Sequence, residues 1–392
     1  MADYYIGLMS GTSLDGADGV LADFSGAVPH VLLFASEPFP PAFQSELLAL
    51  NTSGPDELHR AAMAAHQLIV VYARVVKALL AQAAAQGIGP GQVRAIGAHG
   101  QTVRHRPQEF SDDPRGGGAK TGYTLQLNSP ALLAELTGLD VVADFRSADL
   151  AAGGQGAPLV PAFHHAVFSQ PASAVAVLNI GGISNLTLLP AGADAQAGAV
   201  TGFDCGPGNA LMDFWCLKHT GQPYDVSGAW AASGTVVPGL LSVLLAAPYL
   251  AKEPPKSTGR DLFNPAWLAA QLKGFENHRP QDIQATLTAL TAQSCARDLL
   301  RHAPQSTELL VCGGGAFNTE LMRQLANALP GIAVQTTTAR GLPPLQVEAA
   351  AFAWLAYAWH QKLPGNLAGV TGASGPRVLG ALYLAPTAAH CV

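Results

Sequence analysis

The stretch YYIGLMSGTSLDGADGVLADF, residues 4–24, joins two apolar strands through a loop rich in Gly, Ser, Thr and Asp. Residues 4–9 have the aromatic and β-branched composition of a buried strand, and residues 19–24 predict a second one. The loop glycines permit a tight turn, and the hydroxyl and amide groups between them can donate to anionic oxygens. The stretch therefore predicts a phosphate-binding turn, with an ordinary hairpin closed by a polar turn as the alternative.

Two carboxylates in this turn indicate a cation. Asp15 and Asp18 follow the hydroxyl residues Ser10, Thr12 and Ser13, where a carboxylate could hold Mg²⁺ directly or through water. The pattern alone does not identify the full set of metal ligands. We expect Mg²⁺ to accompany a phosphate-bearing ligand.

Length and composition favour two domains. The chain has 392 residues, which is more than one core usually covers, so we expect two domains with a cleft between them. Apolar residues make up 49% of the chain and charged residues only 12%, which supplies ample core material. The formal charge of −6, without a basic tail, argues against a nucleic-acid partner.

Cysteine usage and the apolar segments favour a cytoplasmic location. The five cysteines are odd in number and form no CxxC pair, so neither a disulfide framework nor a zinc site is predicted. The N-terminus lacks a basic region before its apolar residues, which argues against a secretory signal. The uncharged segment 229–251 is broken by Gly and Pro into pieces too short to span a bilayer. We expect no membrane partner.

Strands alternate with helices along the chain, and several strands end in polar or glycine-rich turns. Residues 93–98 form a predicted strand that ends in HGQT, and residues 174–180 lead into a second glycine turn. A third predicted strand, 308–311, runs into CGGG at 312–315. Because open parallel sheets bind ligands at the carboxyl ends of their strands, these joints predict two similar α/β lobes that hold a nucleotide.

Ten ordered runs carry a resemblance to a known family. They are GLMSGTSLDG (7–16), GAHGQT (97–102), VVADFR (141–146), AAGGQGAPLVPAFH (151–164), LNIGGISN (178–185), GFDCGPGN (202–209), STGRDLFN (257–264), CGGGAFN (312–318), GLPP (341–344) with Glu348, and LPGN (363–366). Over essentially its whole length the chain resembles the anhydro-N-acetylmuramic acid kinase family, within the superfamily of sugar kinases, actin and heat-shock chaperone ATPases. The 108–122 loop looks longer than is usual in that family, and Asn128-Ser129 stands before Pro130 where Gly-Asn is usual.

The resemblance implies an α/β fold of two similar ribonuclease H-like lobes with a nucleotide and substrate cleft between them. It implies a first lobe at residues 1–145 and a second at 146–365, with residues from about 366 to 392 returning to the first. It also implies a homodimer.

The implied activity is that of a phosphotransferase with an alcohol group as acceptor. ATP, water and 1,6-anhydro-N-acetylmuramic acid give N-acetylmuramic acid 6-phosphate and ADP, a step in the recycling of peptidoglycan sugars from the cell wall. An ordinary glycosidase needs a carboxylic acid to protonate the leaving oxygen and a second carboxylate on the other face of the sugar. Here the leaving oxygen is O6 itself, which the γ-phosphoryl group captures, so one basic carboxylate suffices.

By resemblance, that base is Asp204 in the run GFDCGPGN; its residue-level alternative is an Asx-turn or a cap on the following helix. The resemblance and the glycine-rich turns together predict contacts to ATP, with Asn318 nearby, from Gly11, Thr12, Ser13, Leu14, Asp15, Gly16, Ala17, Asp18, Gly313, Gly314 and Gly315.

Four further side chains are predicted to contact the sugar. Arg146 could pair with the lactyl carboxylate or form a surface salt bridge. Glu348 could accept from sugar hydroxyls or serve only as a charge at a helix N-terminus. His99 and Gln101 end a strand that faces the expected cleft, although an isolated histidine is more often a packed residue than a ligand contact.

Competing mechanisms fit the sequence less well. The segment PPKST at 254–258 is not a P-loop, because Pro255 stands where that motif requires glycine. Neither a G-x-S-x-G elbow nor an HExxH metal helix is present. The alternative function is a nucleotide-switched ATPase or binding protein of the same superfamily, and a carboxylate at Asp204 argues for the enzyme.

Overall fold

The structure is a computed structural model that describes residues 2–11, 13–26, 28–107, 122–192, 199–259 and 262–386. Predictions for Thr12, Cys391 and nearly all of the 108–122 loop lie outside the described residues. The chain divides into two compact units, one formed by residues 1–167 with 346–392 and the other by residues 168–345.

The described residues form thirteen strands and thirteen α-helices. The strands are β1 (Tyr4–Met9), β2 (Gly16–Asp23), β3 (His30–Pro38), β4 (Val93–Ala98), β5 (Gln101–Arg106), β6 (Tyr123–Leu127), β7 (Val141–Ala143), β8 (Ala174–Ile180), β9 (Ile183–Leu189), β10 (Thr201–Pro207), β11 (Ser306–Cys312), β12 (Ala333–Thr336) and β13 (Ala381–Tyr383). The helices are α1 (Pro41–Ala49), α2 (Glu57–Ala85), α3 (Pro130–Thr137), α4 (Ser147–Ala151), α5 (Val160–Phe168), α6 (Ala210–Thr220), α7 (Ala229–Ala232), α8 (Pro238–Leu245), α9 (Pro265–Gln271), α10 (Pro280–His302), α11 (Thr319–Ala328), α12 (Val347–His360) and α13 (Ala368–Thr371).

The first unit is built on a six-stranded sheet with the order β13-β7-β4-β1-β2-β3, beside a separate β5-β6 ribbon. β2 is antiparallel to both β1 and β3, whereas β4 and β7 continue the sheet parallel to β1. β13 closes the far edge antiparallel to β7. The strands pair through apolar segments: Ile6 and Leu8 of β1 are fully buried, as a central strand covered on both faces requires.

α12 packs closely on this sheet because two strand glycines leave room for its backbone. A Cβ atom at Gly7 would lie 1.9 Å from the Ala349 carbonyl oxygen, and one at Gly97 would lie 2.0 Å from that of Phe352. No side chain fits at either position, so the glycines fix the depth at which the helix sits. This packing brings Glu348, in the first turn of α12, to the carboxyl end of the sheet.

The two compact units divide the chain at residues 167 and 345, whereas the predicted limits lie at residues 145 and 365. α12 belongs with the first sheet through the packing just described. Farther along, Asn366 and Thr371 donate to the buried Asp149 carboxylate at 2.6 and 2.7 Å. These bonds tie the C-terminal segment to α4, so residues from both sides of the predicted limits share one core.

The second unit repeats the arrangement of the first. Its five-stranded sheet has the order β10-β9-β8-β11-β12, with β9 antiparallel to β8 and β10, and with β11 and β12 parallel to β8. In both main sheets the first five strands, numbered along the chain, lie in the order 3-2-1-4-5 with the second strand reversed. The predicted pair of similar α/β lobes is confirmed.

α10 supports the second sheet with a face that is polar as well as apolar. Thr286, Thr288 and Thr291 are buried on it, and the Thr291 hydroxyl donates to the carbonyl oxygens of Pro207 and Gly208 at 3.1 and 3.2 Å. These bonds tie α10 to backbone carbonyls at the end of β10 and in the turn that follows it. The helix thereby fixes the turn that follows Asp204.

α2 is the one helix among the described residues that is long and apolar enough to cross a membrane. Its residues Leu68, Tyr72, Val75 and Leu79 are buried at helical spacing in the core of the first unit. That pattern is typical of a core helix in a globular domain.

Candidate active site

The candidate residues form one cluster in each unit, at the edge where the parallel strands end. Open α/β sheets bind ligands at such edges. The first-unit cluster comprises residues 10–18 together with His99, Gln101, Arg146 and Glu348. The second-unit cluster comprises Asp204, the 254–258 segment and the glycine turns at 181–182 and 313–315.

The turn after β1 is held by buried polar side chains. The Ser10 hydroxyl lies 3.1 Å from the Tyr72 hydroxyl and donates to the Gly100 carbonyl oxygen at 3.1 Å. Gln101 is fully buried and donates from Nε2 to the Gly11 carbonyl oxygen at 3.1 Å. Leu14 adopts a positive φ of 60°, an uncommon conformation for a branched residue. The turn is therefore pre-formed, and Gln101 holds its backbone; a contact from Gln101 to the sugar stays a prediction.

The predicted loop is shorter than its sequence indicated. β2 begins at Gly16, so Gly16, Ala17 and Asp18 lie in the strand, where Asp18 pairs with Met9 on one side and Ser36 on the other. Asp15 remains in the turn and accepts from the Ser13 hydroxyl at 2.6 Å. The Asp15 carboxylate therefore comes from the turn and the Asp18 carboxylate from β2, and both lie at the edge where the parallel strands end.

Three carboxylates of the first-unit cluster influence one another. Burial, together with the charge of Asp15, raises the pKa of Asp18, although a hydrogen bond from Ser36 opposes the shift. Burial also raises the pKa of Glu348, with further contributions from Asp18 and Asp15, while Arg146 opposes the shift. The cluster thus concentrates negative charge that is only partly balanced.

Arg146 is held by neutral acceptors rather than by a carboxylate. Its Nε and Nη2 atoms lie 3.3 and 2.9 Å from Nε2 of His99, and its Nη1 donates to the Gly156 carbonyl oxygen at 2.6 Å. Burial lowers the pKa of Arg146 to about 10, against the raising effects of Glu348 and Asp149. The surface salt bridge considered for Arg146 does not occur among the described residues.

His99 is a buried, neutral acceptor. Burial, followed by the nearby positive charge of Arg146, lowers the pKa of His99 well below its ordinary value. Its ring packs 4.6 Å from the ring of Phe352, one helical turn after Glu348 on α12. His99 is therefore packed and accepts from Arg146; a contact from His99 to the sugar stays a prediction.

Asp204 projects from β10 with its carboxylate held on one side. The Ser257 hydroxyl and the Thr258 backbone N–H donate to its Oδ2 atom at 3.0 and 2.9 Å. No described residue donates to Oδ1. Burial raises the pKa of Asp204, although these two hydrogen bonds and the Lys256 charge oppose the shift.

The backbone at Asp204 is fixed as tightly as its side chain. Its N–H donates to the Lys256 carbonyl oxygen at 3.1 Å, and its carbonyl oxygen accepts from the Tyr249 hydroxyl at 3.0 Å. β10 is bulged between Asp204 and Gly206, and bulges commonly re-aim a side chain near an active site. The alternative reading as a helix cap is wrong, because Asn209 is the residue that precedes α6.

The glycine turns of the second-unit cluster lie against one another. Gly208 donates from its backbone N–H to the Gly182 carbonyl oxygen at 3.0 Å. Gly313 has a φ of 77°, and a Cβ atom there would lie 2.4 Å from Oδ1 of Asn179. Gly314, in contrast, is exposed and would accommodate a Cβ without a clash. Gly314 therefore presents exposed backbone at a strand end, as a nucleotide-binding turn requires.

Sequence reasoning missed the partners of Asp204. The 254–258 segment lacks the P-loop motif and its sequence predicts no other role, yet it supplies both donors to the carboxylate. Ser257 and Thr258 begin the run STGRDLFN, which could have directed attention to them. Lys256 is buried and pairs with Asp298 at 2.8 Å. No sequence signal joins that pair, because its members lie 42 residues apart.

The carboxylates of the first-unit cluster suit a magnesium ion that is held mainly by the phosphates of a bound nucleotide. Among the described residues there is no group of three or more His, Cys, Asp or Glu side chains placed to chelate a metal. Mg²⁺ bound with a nucleotide usually takes one or two carboxylates, phosphate oxygens and water. Asp15 and Asp18, with unbalanced charge around them, fit that requirement.

Comparison with known proteins gives consistent matches over the full chain. The family model for anhydro-N-acetylmuramic acid kinase matches residues 3–385. An anhydro-N-acetylmuramic acid kinase of Variovorax paradoxus (strain S110) is 61% identical over 381 residues, which cover 97% of this chain and 99% of that protein. One of Albidiferax ferrireducens is 58% identical over 398 residues, covering 98% and 100%.

Similarity to solved structures is weaker. Xylulose kinase from Rhodospirillum rubrum aligns over 95% of this chain and 93% of its own, with a TM-score of 0.45 and 14% identity.

Proposed function

The chain belongs to the anhydro-N-acetylmuramic acid kinase family, and from that premise we propose that Asp204 is the general base of its reaction. The enzyme uses ATP and water to open the 1,6-anhydro ring of anhydro-N-acetylmuramic acid and to phosphorylate O6. The products are N-acetylmuramic acid 6-phosphate and ADP, and the reaction recycles a cell-wall sugar.

The orientation of the Asp204 carboxylate is the observation that carries the proposal. Oδ2 accepts two hydrogen bonds within the second unit, while no described residue donates to Oδ1. An ionised carboxylate with one oxygen anchored presents the other to a water molecule in a defined direction. Burial raises the pKa of Asp204, which makes the ionised form a stronger proton acceptor than an exposed aspartate.

In the proposed reaction water is the nucleophile at C1 and O6 accepts the phosphoryl group. The attacking water forms a bond to C1 and gives a proton to Asp204, while the bond from C1 to O6 breaks. The electron pair left on O6 attacks the γ-phosphorus, and the bond from that phosphorus to the bridging oxygen of ADP breaks. Asp204 afterwards releases its proton to solvent. No protonated acid is needed for the leaving oxygen, because the phosphoryl group takes that place.

Arg146 is proposed to bind the lactyl carboxylate of the sugar. Its guanidinium is held by His99 and Gly156, which leaves its charge without a carboxylate partner among the described residues. A planar guanidinium recognises a carboxylate with directional, charge-assisted hydrogen bonds. Glu348 is proposed to accept hydrogen bonds from sugar hydroxyls, as its position beside Arg146 in the first-unit cluster supports.

The turns are proposed to bind ATP, with Mg²⁺ at the carboxylates of the first unit. Residues Gly11–Asp18 and Gly313–Gly315 would contact the nucleotide. Backbone N–H groups would come from the turns themselves, because Gly16–Asp18 pair within the sheet and the Gly313 N–H donates to the Pro344 carbonyl oxygen. Asp15 and Asp18 would hold the metal, which when bound would neutralise charge on the phosphates. Family membership also supports a cytoplasmic homodimer, and light scattering of the purified protein would measure its mass in solution.

Isotope labelling tests both halves of the reaction. The protein is incubated with ATP, Mg²⁺ and the anhydro sugar in heavy-oxygen water, and the rapidly quenched product is analysed by mass spectrometry. We expect label at C1 and phosphate at O6. Asp204→Asn should lose turnover by at least about 100-fold, in line with removal of a general base, while equilibrium dialysis still detects bound ATP.

Two results would count against the proposal. Unlabelled product would show that water does not attack C1. Full turnover by Asp204→Asn would remove this side chain from the mechanism, whatever the family reaction.

A further inference from the structure

Beyond the base itself, we propose that the buried ion pair between Lys256 and Asp298 is a positioning device, which holds the 256–258 segment so that it clamps Oδ2 of Asp204. The inference rests on the proposed role of Asp204. Neither Lys256 nor Asp298 needs to contact substrate, so both are positioning residues.

The pair is buried on both sides. The Lys256 side chain is 1% exposed and that of Asp298 is 5% exposed, with Nζ 2.8 Å from Oδ2. Desolvating two charges costs about as much as their attraction returns, so a buried pair is weak grounds for stability by itself. Its benefit must lie in the geometry it enforces.

The Lys256 side chain contacts three other parts of the second unit at one point. Its ammonium group reaches Asp298 on α10 and lies 5.5 Å from the ring centres of both Phe203 and Tyr249. Phe203 immediately precedes Asp204 on β10, and the Tyr249 hydroxyl bonds to the Asp204 carbonyl oxygen. The lysine therefore packs against the two residues that flank or hold the base.

The same residue places the two donors by its position in the chain. The Lys256 carbonyl oxygen accepts from the Asp204 N–H at 3.1 Å, and the next two residues donate to Oδ2. The Lys256 side chain is anchored to Asp298, and its carbonyl oxygen is bonded to β10. Ser257 and Thr258 therefore have little freedom to move away from the Asp204 carboxylate. Ser257 is itself exposed, so packing alone does not hold it.

Removing the charge of both partners separates positioning from folding. A buried ion pair replaced by apolar residues of similar size commonly folds as well as the original. Lys256→Met with Asp298→Leu should keep a cooperative thermal transition yet lower kcat by roughly tenfold or more, since a small misplacement of a reacting group has effects of that size. KM for ATP should stay within about twofold, because the nucleotide turns are untouched.

The acid limb of the pH profile distinguishes positioning from a general structural role. Lys256 and both donors favour the ionised form of Asp204. Loss of the clamp should therefore move the acid limb of kcat to higher pH. The matched control is Arg340→Met with Glu308→Leu, an ion pair of the same unit in which Glu308 lies on β11 and Arg340 follows β12. It should leave kcat and its pH profile unchanged.

Ser257 offers a second test that does not disturb the core. Ser257→Ala removes one donor to Oδ2 and should lower kcat severalfold with the same shift of the acid limb, whereas Ser257→Thr, which keeps the hydroxyl, should restore both. Native kcat and pH profile in Ser257→Ala would overturn the proposal even if the double variant fails to fold, because the clamp would then have no effect on the base.

Asp204→Asn, assayed in parallel, distinguishes the role of the base from the role of the ion pair. If it is inactive while the double variant and Ser257→Ala keep the native kcat and pH profile, the base stands and the positioning device is wrong. If Asp204→Asn is active, the role of the base is wrong and the clamp has no function to serve.

Discussion

Arg146 donates from Nε and Nη2 to a single atom, Nε2 of His99, at 3.3 and 2.9 Å. A guanidinium has donors only, so Nε2 must accept, and the ring proton of neutral His99 is on Nδ1. The low pKa of His99, caused by burial and by the charge of Arg146, keeps the imidazole in that neutral form. A charged histidine would repel the arginine that it now orients.

Replacement of His99 should weaken sugar binding through Arg146. His99→Leu removes the acceptor, and a lost hydrogen bond to a charged group corresponds to about 1.5–3 kcal/mol, so we expect KM for the sugar to rise by roughly tenfold or more. KM for ATP should change little. Steady-state kinetics with each substrate varied in turn measure both effects.

His99→Gln serves as the control, because its amide oxygen can accept from Arg146. It should bind the sugar more tightly than His99→Leu does. Equal KM values for the two variants would show that the acceptor at position 99 does not matter to the sugar.

Asp18 should influence the magnesium requirement more than a carboxylate at the other end of the same strand. Asp18→Asn removes a charge from the first-unit cluster, and we expect the Mg²⁺ concentration for half-maximal activity to rise several-fold. Asp23, the last residue of β2, instead accepts from the backbone of Asp3 and Ser25. Activity titrated with MgCl₂ at saturating ATP provides the measurement, and an equal shift for Asp23→Asn would mean a general charge effect.

The fold was predictable from local patterns, because the sequence of each lobe contains apolar strands that run into glycine turns. Gly313, for example, follows β11 and has the positive φ that favours glycine. Asp204 was likewise recognisable from its run. Local patterns could not show how deeply a polar side chain is buried. Gln101, for example, begins β5 after a turn, yet its side chain is fully buried.

The remaining errors concern register and tertiary contact. Gly16–Asp18 look like loop residues, but pairing with β3 extends β2 through them. Composition does not reveal such pairing, since glycine and aspartate are uncommon in strands. Lys256 and Asp298 meet only after the chain folds, so neither local segment predicts their ion pair.

A side chain at Gly314 should leave folding unchanged but weaken ATP binding. A Cβ there would make ordinary contact, 3.6 Å from Nδ2 of Asn209, so Gly314→Ala should fold normally. If the turn lies against the nucleotide, the added methyl group should raise KM for ATP by roughly tenfold, equivalent to about 1.4 kcal/mol. Gly91→Ala, where a Cβ meets nothing within 4 Å, is the control. An unchanged KM for ATP in Gly314→Ala would remove this turn from the nucleotide site.

Asp204 should make the folded protein less stable at neutral pH than its amide counterpart. Because burial raises its pKa, the folded state binds the proton more tightly than the unfolded chain does. The stabilisation from this proton is present below the unfolded pKa and is lost as pH rises through the folded pKa. Asp204→Asn should therefore melt at a higher temperature than the native protein at pH 7.5, with the difference shrinking towards pH 4.

Asp282 supplies a control of opposite sign for these melting curves. Hydrogen bonds from Arg279 and from the Thr235 backbone lower its pKa, so its ionised form stabilises the folded state above the unfolded pKa and that contribution is lost as pH falls. Asp282→Asn should melt below the native protein at pH 7.5. Thermal denaturation of both variants from pH 4 to 8 measures the two trends, and a lower melting temperature for Asp204→Asn at pH 7.5 would contradict the idea that an ionised base is kept at the expense of stability.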